Sequence, residues 1–129
     1  MIYETDPIKI LVGFENLATR AMIPRYLVGL YGEQVRVETA ESLDEMLVMA
    51  HDIRPDLTIF DSTYHTAFRD PRSTPPSIRI FASGGLPPHR ARDMGADAYA
   101  EAPISMEHLA IIIRGFFPRL HPLESTKGQ

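Results

Sequence analysis

The stretch RPDLTIFD, residues 54–61, decides the fold, because a short apolar run within it ends on a single carboxylate, Asp61. We predict a strand over Asp56 to Phe60, apolar enough and short enough to be buried in a parallel sheet. Similar runs recur along the chain and predict four more strands: Ile8 to Gly13, Gln34 to Thr39, Ile78 to Ala82, and Ala98 to Glu101. By itself this pattern leaves open whether Asp61 is a reactive group or only the cap of a turn.

Segments with apolar residues at helical spacing lie between these strands, and this alternation is typical of an α/β fold. The first helix is predicted from Leu17 to Leu30. It contains Pro24, which predicts a kink or a late restart because proline removes a hydrogen bond and clashes with the preceding turn. The second helix has Ser42 as its N-cap and Glu45 at the capping-box position.

The last helix is predicted to begin after the N-cap Ser105 and to stop at Pro118. Its apolar spacing predicts an inward stripe formed by four residues, namely Leu109, Ile112, Ile113 and Phe116. Ile111 falls instead on the side of Glu107 and Arg114. The helix is therefore either a well-buried terminal helix or a surface for a partner, and the sequence favours neither.

The segment between the third and fourth strands does not have the pattern of a full crossover helix. Pro71, Pro75 and Pro76 leave room only for a helix of about two turns over Thr63 to Arg69. The third helix is therefore predicted to be shortened or missing. One strip of the sheet would then be covered by an irregular loop or by something outside this chain.

Composition limits the classes of protein that the chain can belong to. Its 129 residues fit one domain, predicted over residues 8–119, with an N-terminal arm at 1–7 and a tail or linker at 120–129. The absence of cysteine excludes disulfides and cysteine nucleophiles, and the five histidines are too dispersed to predict a zinc site. The net charge of −4 and the scattered basic residues argue against direct nucleic-acid binding. No signal peptide or membrane span is recognisable, so we expect a cytoplasmic protein.

Three stretches resemble the receiver (CheY-like) domain of two-component response regulators over roughly residues 8–117. They are KILVGFE as first strand and following loop, RPDLTIFD as third strand, and MGADAYAEAPIS around the fifth strand. The last matches the family's Gly-Ala-Asp-x-Tyr motif and later proline, here at Gly95, Ala96, Asp97, Tyr99 and Pro103. The resemblance implies a flavodoxin-like, doubly wound sheet of five parallel strands in the order 2-1-3-4-5.

The resemblance also implies a phosphoacceptor site at the carboxyl ends of the strands. Asp61 takes the position of the aspartate that accepts phosphate. The acidic pair that helps the family hold Mg²⁺ is replaced by Phe14 and Glu15. Glu15 and Asp61 are the remaining candidate metal ligands, so we expect no cofactor, or Mg²⁺ at most weakly.

Two further groups of the family's site are replaced by alanine. The hydroxyl residue that closes the fourth strand is Ala82, and the lysine after the fifth strand is Ala102. Ser83, one position along, is the candidate substitute for the hydroxyl if the strand register shifts. Tyr99 matches the aromatic residue that moves when a receiver is activated, but with Ala82 in place the usual pull on that ring is missing.

These departures lead to a first hypothesis, a degenerate receiver, or pseudo-receiver, that binds another protein and is not an enzyme. The partner would be a histidine kinase, an output domain, or a second copy through the last helix. The expected contact surface comprises Arg90, Arg92, Glu107, Ile111 and Arg114. The second hypothesis is a response regulator that still accepts phosphate on Asp61 in an unorthodox pocket. A third, resting on Ser83-Gly84-Gly85 and fold analogy, is binding of a small anionic ligand.

Overall fold

A computed structural model of the chain describes residues 6–61, 64, 74–83, 95–101 and 104–123. Five parallel strands form one sheet in the order β2-β1-β3-β4-β5. The strands are β1 (Ile8–Gly13), β2 (Val35–Ala40), β3 (Leu57–Phe60), β4 (Ile78–Ser83) and β5 (Ala98–Glu101). The predicted number, direction and order of the strands are confirmed, with ends displaced by a single residue in β2, β3 and β4.

Helices cover both faces of this sheet. Within the part of the chain that the structure describes, they are α1 (Leu17–Tyr31), α2 (Leu43–Ile53) and α3 (Met106–Phe116), with a 3₁₀ turn at Gly32–Gln34. Successive residues of β1 alternate between the faces: Ile10 and Val12 pack with α1 and α3, whereas Leu11 packs with α2. The central strands are apolar on both faces because both are covered.

Helix α1 begins at Leu17, as predicted, and continues through its proline. Asn16 is the N-cap, and its side-chain Oδ1 accepts a hydrogen bond from the Thr19 backbone N–H at 2.9 Å. The helix continues past Pro24 to Tyr31, so the predicted late restart was wrong. Ile23, Leu27 and Tyr31 are all buried, and this burial holds the helix together despite the proline.

Helix α2 confirms the predicted capping pattern. The hydroxyl of Ser42 accepts a hydrogen bond from the Glu45 backbone N–H at 3.1 Å, and the Glu45 carboxylate accepts one from the Glu41 N–H. The helix ends at Arg54, whose φ of 53° is left-handed. Capping depends on residues close in the sequence, which is why it was predictable.

Helix α3 is capped by Ser105 as predicted, with its hydroxyl accepting from the His108 N–H at 3.2 Å. Leu109 and Ile113 are buried, but Phe116 is 37 % exposed, so its place in the predicted inward stripe was wrong. Phe117 packs against the core instead. Leu109, Ile113 and Phe117 are spaced by four residues and form one line along the helix and its cap.

The residues after α3 pack against the far end of α1. Leu120 is buried in the core, and the His121 backbone N–H donates to Gln34 Oε1 at 2.9 Å. The Leu123 N–H donates to the carbonyl oxygen of Leu30 at 2.7 Å. Residues 120–123, which we predicted as the start of a tail or linker, therefore lie on the domain.

A buried charged side chain lies on the α2 face of the sheet. Arg79, between apolar residues of β4, donates from Nη2 to the Thr74 hydroxyl at 2.9 Å. Burial lowers the pKa of this guanidinium, and the nearby Asp97 carboxylate partly opposes that shift. Asp97 also binds the strand itself, accepting the Arg79 backbone N–H at 2.8 Å.

The predicted short helix over Thr63 to Arg69 lies outside the described residues, apart from Tyr64. Tyr64 is buried and belongs to the apolar cluster beneath α2. Of the helices that the structure describes, none combines the length and apolar character needed to cross a membrane.

Candidate functional site

The carboxyl ends of three neighbouring strands bring the predicted site positions together. Gly13 at the end of β1 pairs with Phe60 at the end of β3, so Phe14 and Asp61 leave the sheet side by side. Phe60 in turn pairs with Phe81 in β4, which puts Ala82 level with Asp61. The parallel register of the strands therefore places Phe14, Asp61 and Ala82 next to one another.

Asp61 anchors the loop that joins β1 to α1. Its backbone N–H donates to the carbonyl oxygen of Gly13 at 3.1 Å, and its side-chain Oδ2 accepts from the Glu15 backbone N–H at 2.9 Å. Its own carbonyl oxygen accepts from the Tyr64 N–H at 3.1 Å. The side chain of Asp61 is half-buried. Asp61 and Glu15 are thus brought together, with the contact made by the backbone of Glu15.

The peptide group between Phe14 and Glu15 links Asp61 to the guanidinium group of Arg20 through two hydrogen bonds. The N–H of this peptide donates to Asp61, and its carbonyl oxygen, on Phe14, accepts from Arg20 Nη1 at 3.2 Å. Hydrogen bonds in series polarise one another, and those to charged groups are the stronger ones. Arg20 therefore supports the hydrogen bond that Asp61 accepts. We did not single out Arg20 from the sequence, because its partner is a backbone carbonyl and no motif marks it.

The residues at the metal position do not fit the usual magnesium site. The Phe14 side chain is buried in the apolar cluster that also holds Ala82 and Ala100, so it supplies no oxygen where an acid is expected. Mg²⁺ needs oxygen ligands in near-octahedral geometry. Among the residues that the structure describes, no group of three or more acids and histidines is arranged to hold a metal ion.

Of the two positions that the resemblance assigns to a hydroxyl and a lysine, the structure describes Ala82 but not Ala102. Ala82 is buried and pairs with Ala100 of β5, so its methyl group is part of the core. Strand β4 reaches Ser83, which pairs with Glu101. The Ser83 side chain lies outside the described part of the chain. So do Ala102 and the predicted anion-binding glycines, Gly84 and Gly85.

Tyr99 belongs to a row of aromatic rings across three strands. Its ring stacks on Phe81, with centroids 6.1 Å apart and planes 20° apart. Phe81 in turn meets Phe60 edge-on at 5.5 Å. The strand register pairs these residues in the same order, so the row follows directly from it. Tyr99 is half-buried, and the loss of the usual pull on its ring stays a prediction.

Solved structures with the same architecture include receiver domains. The receiver domain of a DNA-binding response regulator from Colwellia psychrerythraea 34H has a TM-score of 0.74 and 18% identity, over 87% of this chain and 99% of that one. The Vibrio cholerae chemotaxis protein CheY4 has a TM-score of 0.70 and 20% identity, over 84% and 98%. This chain has the receiver fold. No family model and no curated protein matches the sequence.

A third receiver-fold structure includes a binding partner. A chain in the co-crystal structure of the Saccharomyces cerevisiae phosphotransfer protein Ypd1 with the Ssk1 receiver domain has a TM-score of 0.71 and 15% identity. The match covers 87% of this chain and 90% of that one. The predicted resemblance to receivers is confirmed as a likeness of fold.

Tyr64 packs closely against Gly13 at the end of β1. A Cβ atom on Gly13 would lie 3.1 Å from the Tyr64 ring and would collide with the terminal methyl of Met46. The Tyr64 hydroxyl donates to the carbonyl oxygen of Ala40 at 3.5 Å. We missed this contact in the sequence, although a glycine ending a strand is a known signal of close approach.

The predicted contact surface of the receiver fold is described at three of its five positions. Ile111 is 58 % exposed, and Glu107 is exposed on the same helix. Arg114 is half-buried, with Nη1 donating to the Tyr31 hydroxyl at 3.5 Å. Burial raises the pKa of that hydroxyl, and Arg114 partly opposes the shift. Arg90 and Arg92 lie outside the described residues.

Proposed function

We propose that this chain is a degenerate receiver of two-component signalling, which binds another protein with little or no phosphorylation. The observation that carries the proposal is the buried Phe14 side chain at the metal position. An apolar ring there supplies no ligand for the cation that phosphoryl transfer uses. In this proposal the chain is a binding module of the cytoplasm and not an enzyme. It needs no cofactor and does not bind nucleic acid directly.

The hydrogen bonds of Asp61 support the same proposal. Its Oδ2 accepts a backbone N–H from the loop after β1, so the carboxylate has a structural task. Ala82 and Ala102 add no hydroxyl or ammonium group for a phosphoryl oxygen. Each lost hydrogen bond to a charged group costs about 1.5–3 kcal/mol, so several together slow transfer by orders of magnitude.

We propose a protein partner that binds the exposed side of α3. Glu107 and Ile111 supply a charged and an apolar group there, and Arg114 lies at its margin. Arg90 and Arg92 are assigned to the same surface from the sequence. The partner is a histidine kinase, an output domain or a second copy of the chain.

A second candidate function is retained phosphorylation of Asp61. It is favoured by one observation, namely that this carboxylate ends β3 and is only half-buried beside Glu15. Here Asp61 would take the phosphoryl group from a histidine kinase and the chain would respond as a regulator.

Incubation with a small phosphodonor or beryllofluoride and Mg²⁺ separates the two functions. For a degenerate receiver we expect no gain of a phosphoryl group by intact mass and no chemical-shift changes around Asp61. The Asp61→Asn variant is the matched control, and a phosphorylatable receiver treated in parallel shows that the reagents work. A gain of mass in the natural chain that is absent from Asp61→Asn would establish the second function instead.

A further inference from the structure

Strand β2 forms one edge of the five-stranded sheet, because its neighbour in that order is β1 alone. In a parallel ladder, alternate residues direct their backbone groups toward the neighbouring strand, and the residues between them direct their N–H and C=O groups outward. An open edge of this kind is a template for another strand. The side chains along the outer side of β2 therefore decide which strand can pair with it.

An open groove of about 530 Å³ runs between this edge and helix α1. Its walls include Leu17, Ala21 and Pro24 from α1 and Val37 from β2. Leu17 is among the most exposed large apolar side chains that the structure describes. The edge of β2 is thus reachable from solvent, and the groove beside it has apolar walls together with the polar side chains of Arg20, Glu38 and Thr39.

The charges on β2 make the edge complementary to a second copy of itself. Arg36 and Glu38 are two residues apart, so their side chains lie on the same face of the sheet. The Arg36 Nε and Glu38 Oε2 atoms are 3.2 Å apart, and the two side chains are 63 % and 35 % exposed. If an antiparallel copy is centred on Val37, each arginine lies opposite a glutamate of the other copy. The four charges then alternate in sign around a square.

We propose that a second copy of this chain adds to the sheet through β2, antiparallel and with Val37 on the twofold axis. The two sheets become continuous, and the outward backbone groups of both edges are paired. Val37 of each copy meets its equivalent, which is a favourable pair of β-branched residues. Leu17 and Pro24, which line the same groove, lie beside this pair. The interface differs from the surface of α3 described above.

Charge reversal tests the proposed pairing by sedimentation equilibrium of the full chain, from about 10 µM to about 1 mM, where small interfaces dissociate. The natural chain should dimerise, and Arg36→Glu or Glu38→Arg should each weaken dimerisation by roughly tenfold or more, because like charges then face each other. An equimolar mixture of these two variants should form heterodimers, and the double variant Arg36→Glu/Glu38→Arg should regain self-association. Val48→Asp is the control, because Val48 is exposed on α2 outside both proposed surfaces, and it should leave dimerisation unchanged.

Several outcomes would overturn the proposal. A natural chain that stays monomeric throughout this range has no such interface. A dimer that is insensitive to both reversals, or one that the mixed and double variants fail to restore, is held by something other than this charge pairing. If Ile111→Asp abolishes dimerisation, the dimer interface lies on α3 and not on β2. Circular dichroism establishes that each variant is folded.

The absence of cysteine from the natural chain allows a test of the register. In the proposed dimer, Val37→Cys brings two thiols together at the axis, within the range of a disulfide. Thr39→Cys is the matched control, since four residues of strand separate position 39 from its equivalent, about 13 Å. Mild oxidation should cross-link the first variant at least tenfold faster. Equal rates would overturn the proposed register.

Discussion

Asp61 shows what a single residue does in this fold. The sequence left open whether it is reactive or caps a turn, and the structure shows it holding the loop after β1 through the Glu15 N–H. The peptide that donates this hydrogen bond is itself bound by Arg20. The carboxylate that the resemblance assigns as phosphoacceptor therefore also has a structural role.

This role predicts how the stability of Asp61 variants is ordered. Asp61→Ala leaves the Glu15 N–H without this acceptor and should lower the free energy of unfolding by about 1.5–3 kcal/mol, the value of a hydrogen bond to a charged group. Asp61→Asn keeps an acceptor oxygen and should cost about 1 kcal/mol or less. Urea denaturation of both variants measures the difference. A gain of stability in Asp61→Ala would mean that repulsion between Asp61 and Glu15 outweighs the hydrogen bond.

Individual positions of the site were predictable where they depend on strand ends. Asp61 and Glu15 were placed correctly because each follows an apolar run of recognisable length. Arg20 was missed because its partner is a backbone carbonyl six residues earlier. Tyr64 was missed because it contacts Gly13, a glycine in β1 that is distant in the sequence. Such contacts depend on how segments pack together in the fold, and a pattern of a few neighbouring residues does not predict them.

At the scale of elements, the contact between β1 and α2 depends on one small residue. Gly13 ends β1 where Tyr64 and Met46 of the α2 side approach closely. Proteins accommodate an added methyl in a packed core only by moving neighbours.

Gly13→Ala should therefore destabilise the fold by about 1 kcal/mol, because the Tyr64 ring has to give way whereas the flexible end of Met46 can turn aside. Gly29→Ala is the matched control, because a Cβ there meets nothing within 4 Å. It lies inside α1 and should stabilise the chain by up to about 1 kcal/mol, since alanine favours helix. Thermal and urea denaturation measure both changes. Equal effects of the two substitutions would show that Gly13 is not tightly packed.

The caps of the helices were predicted well, and the path of α1 was not. Ser42 and Ser105 act on backbone groups three residues away, so their roles can be recognised from the sequence. Local sterics at Pro24 predicted a kink or a late restart, and the restart does not occur. Burial of Ile23, Leu27 and Tyr31 outweighed that local cost and kept the helix continuous.

At the scale of the whole molecule, we propose two surfaces for binding other chains: the exposed side of α3 and the edge of β2. The α3 surface is the one assigned to the protein partner. Its central apolar group, Ile111, is 58 % exposed.

Ile111→Asp should abolish capture of the partner from cells that express the chain, because a carboxylate at the centre of an apolar contact is costly to desolvate. Val48→Asp is the control, since Val48 is equally exposed at 59 % but lies on α2. Mass spectrometry of proteins captured by each variant compares them. Retention of every partner by Ile111→Asp would place the binding surface elsewhere.

By itself, the sequence determined the α/β class, the five parallel strands with their order through the resemblance, and the position of Asp61. The class and the strands follow from apolar periodicity and from the punctuation of the chain, which act over a few residues. The strand order and the place of Asp61 in the site are what the resemblance implies. Only the tertiary structure decided that the Phe14 side chain is buried, that Arg20 supports Asp61 through a shared peptide, and that a groove between α1 and β2 lies beside the sheet edge. These features arise where segments distant in the chain meet, and their packing is set by the whole fold.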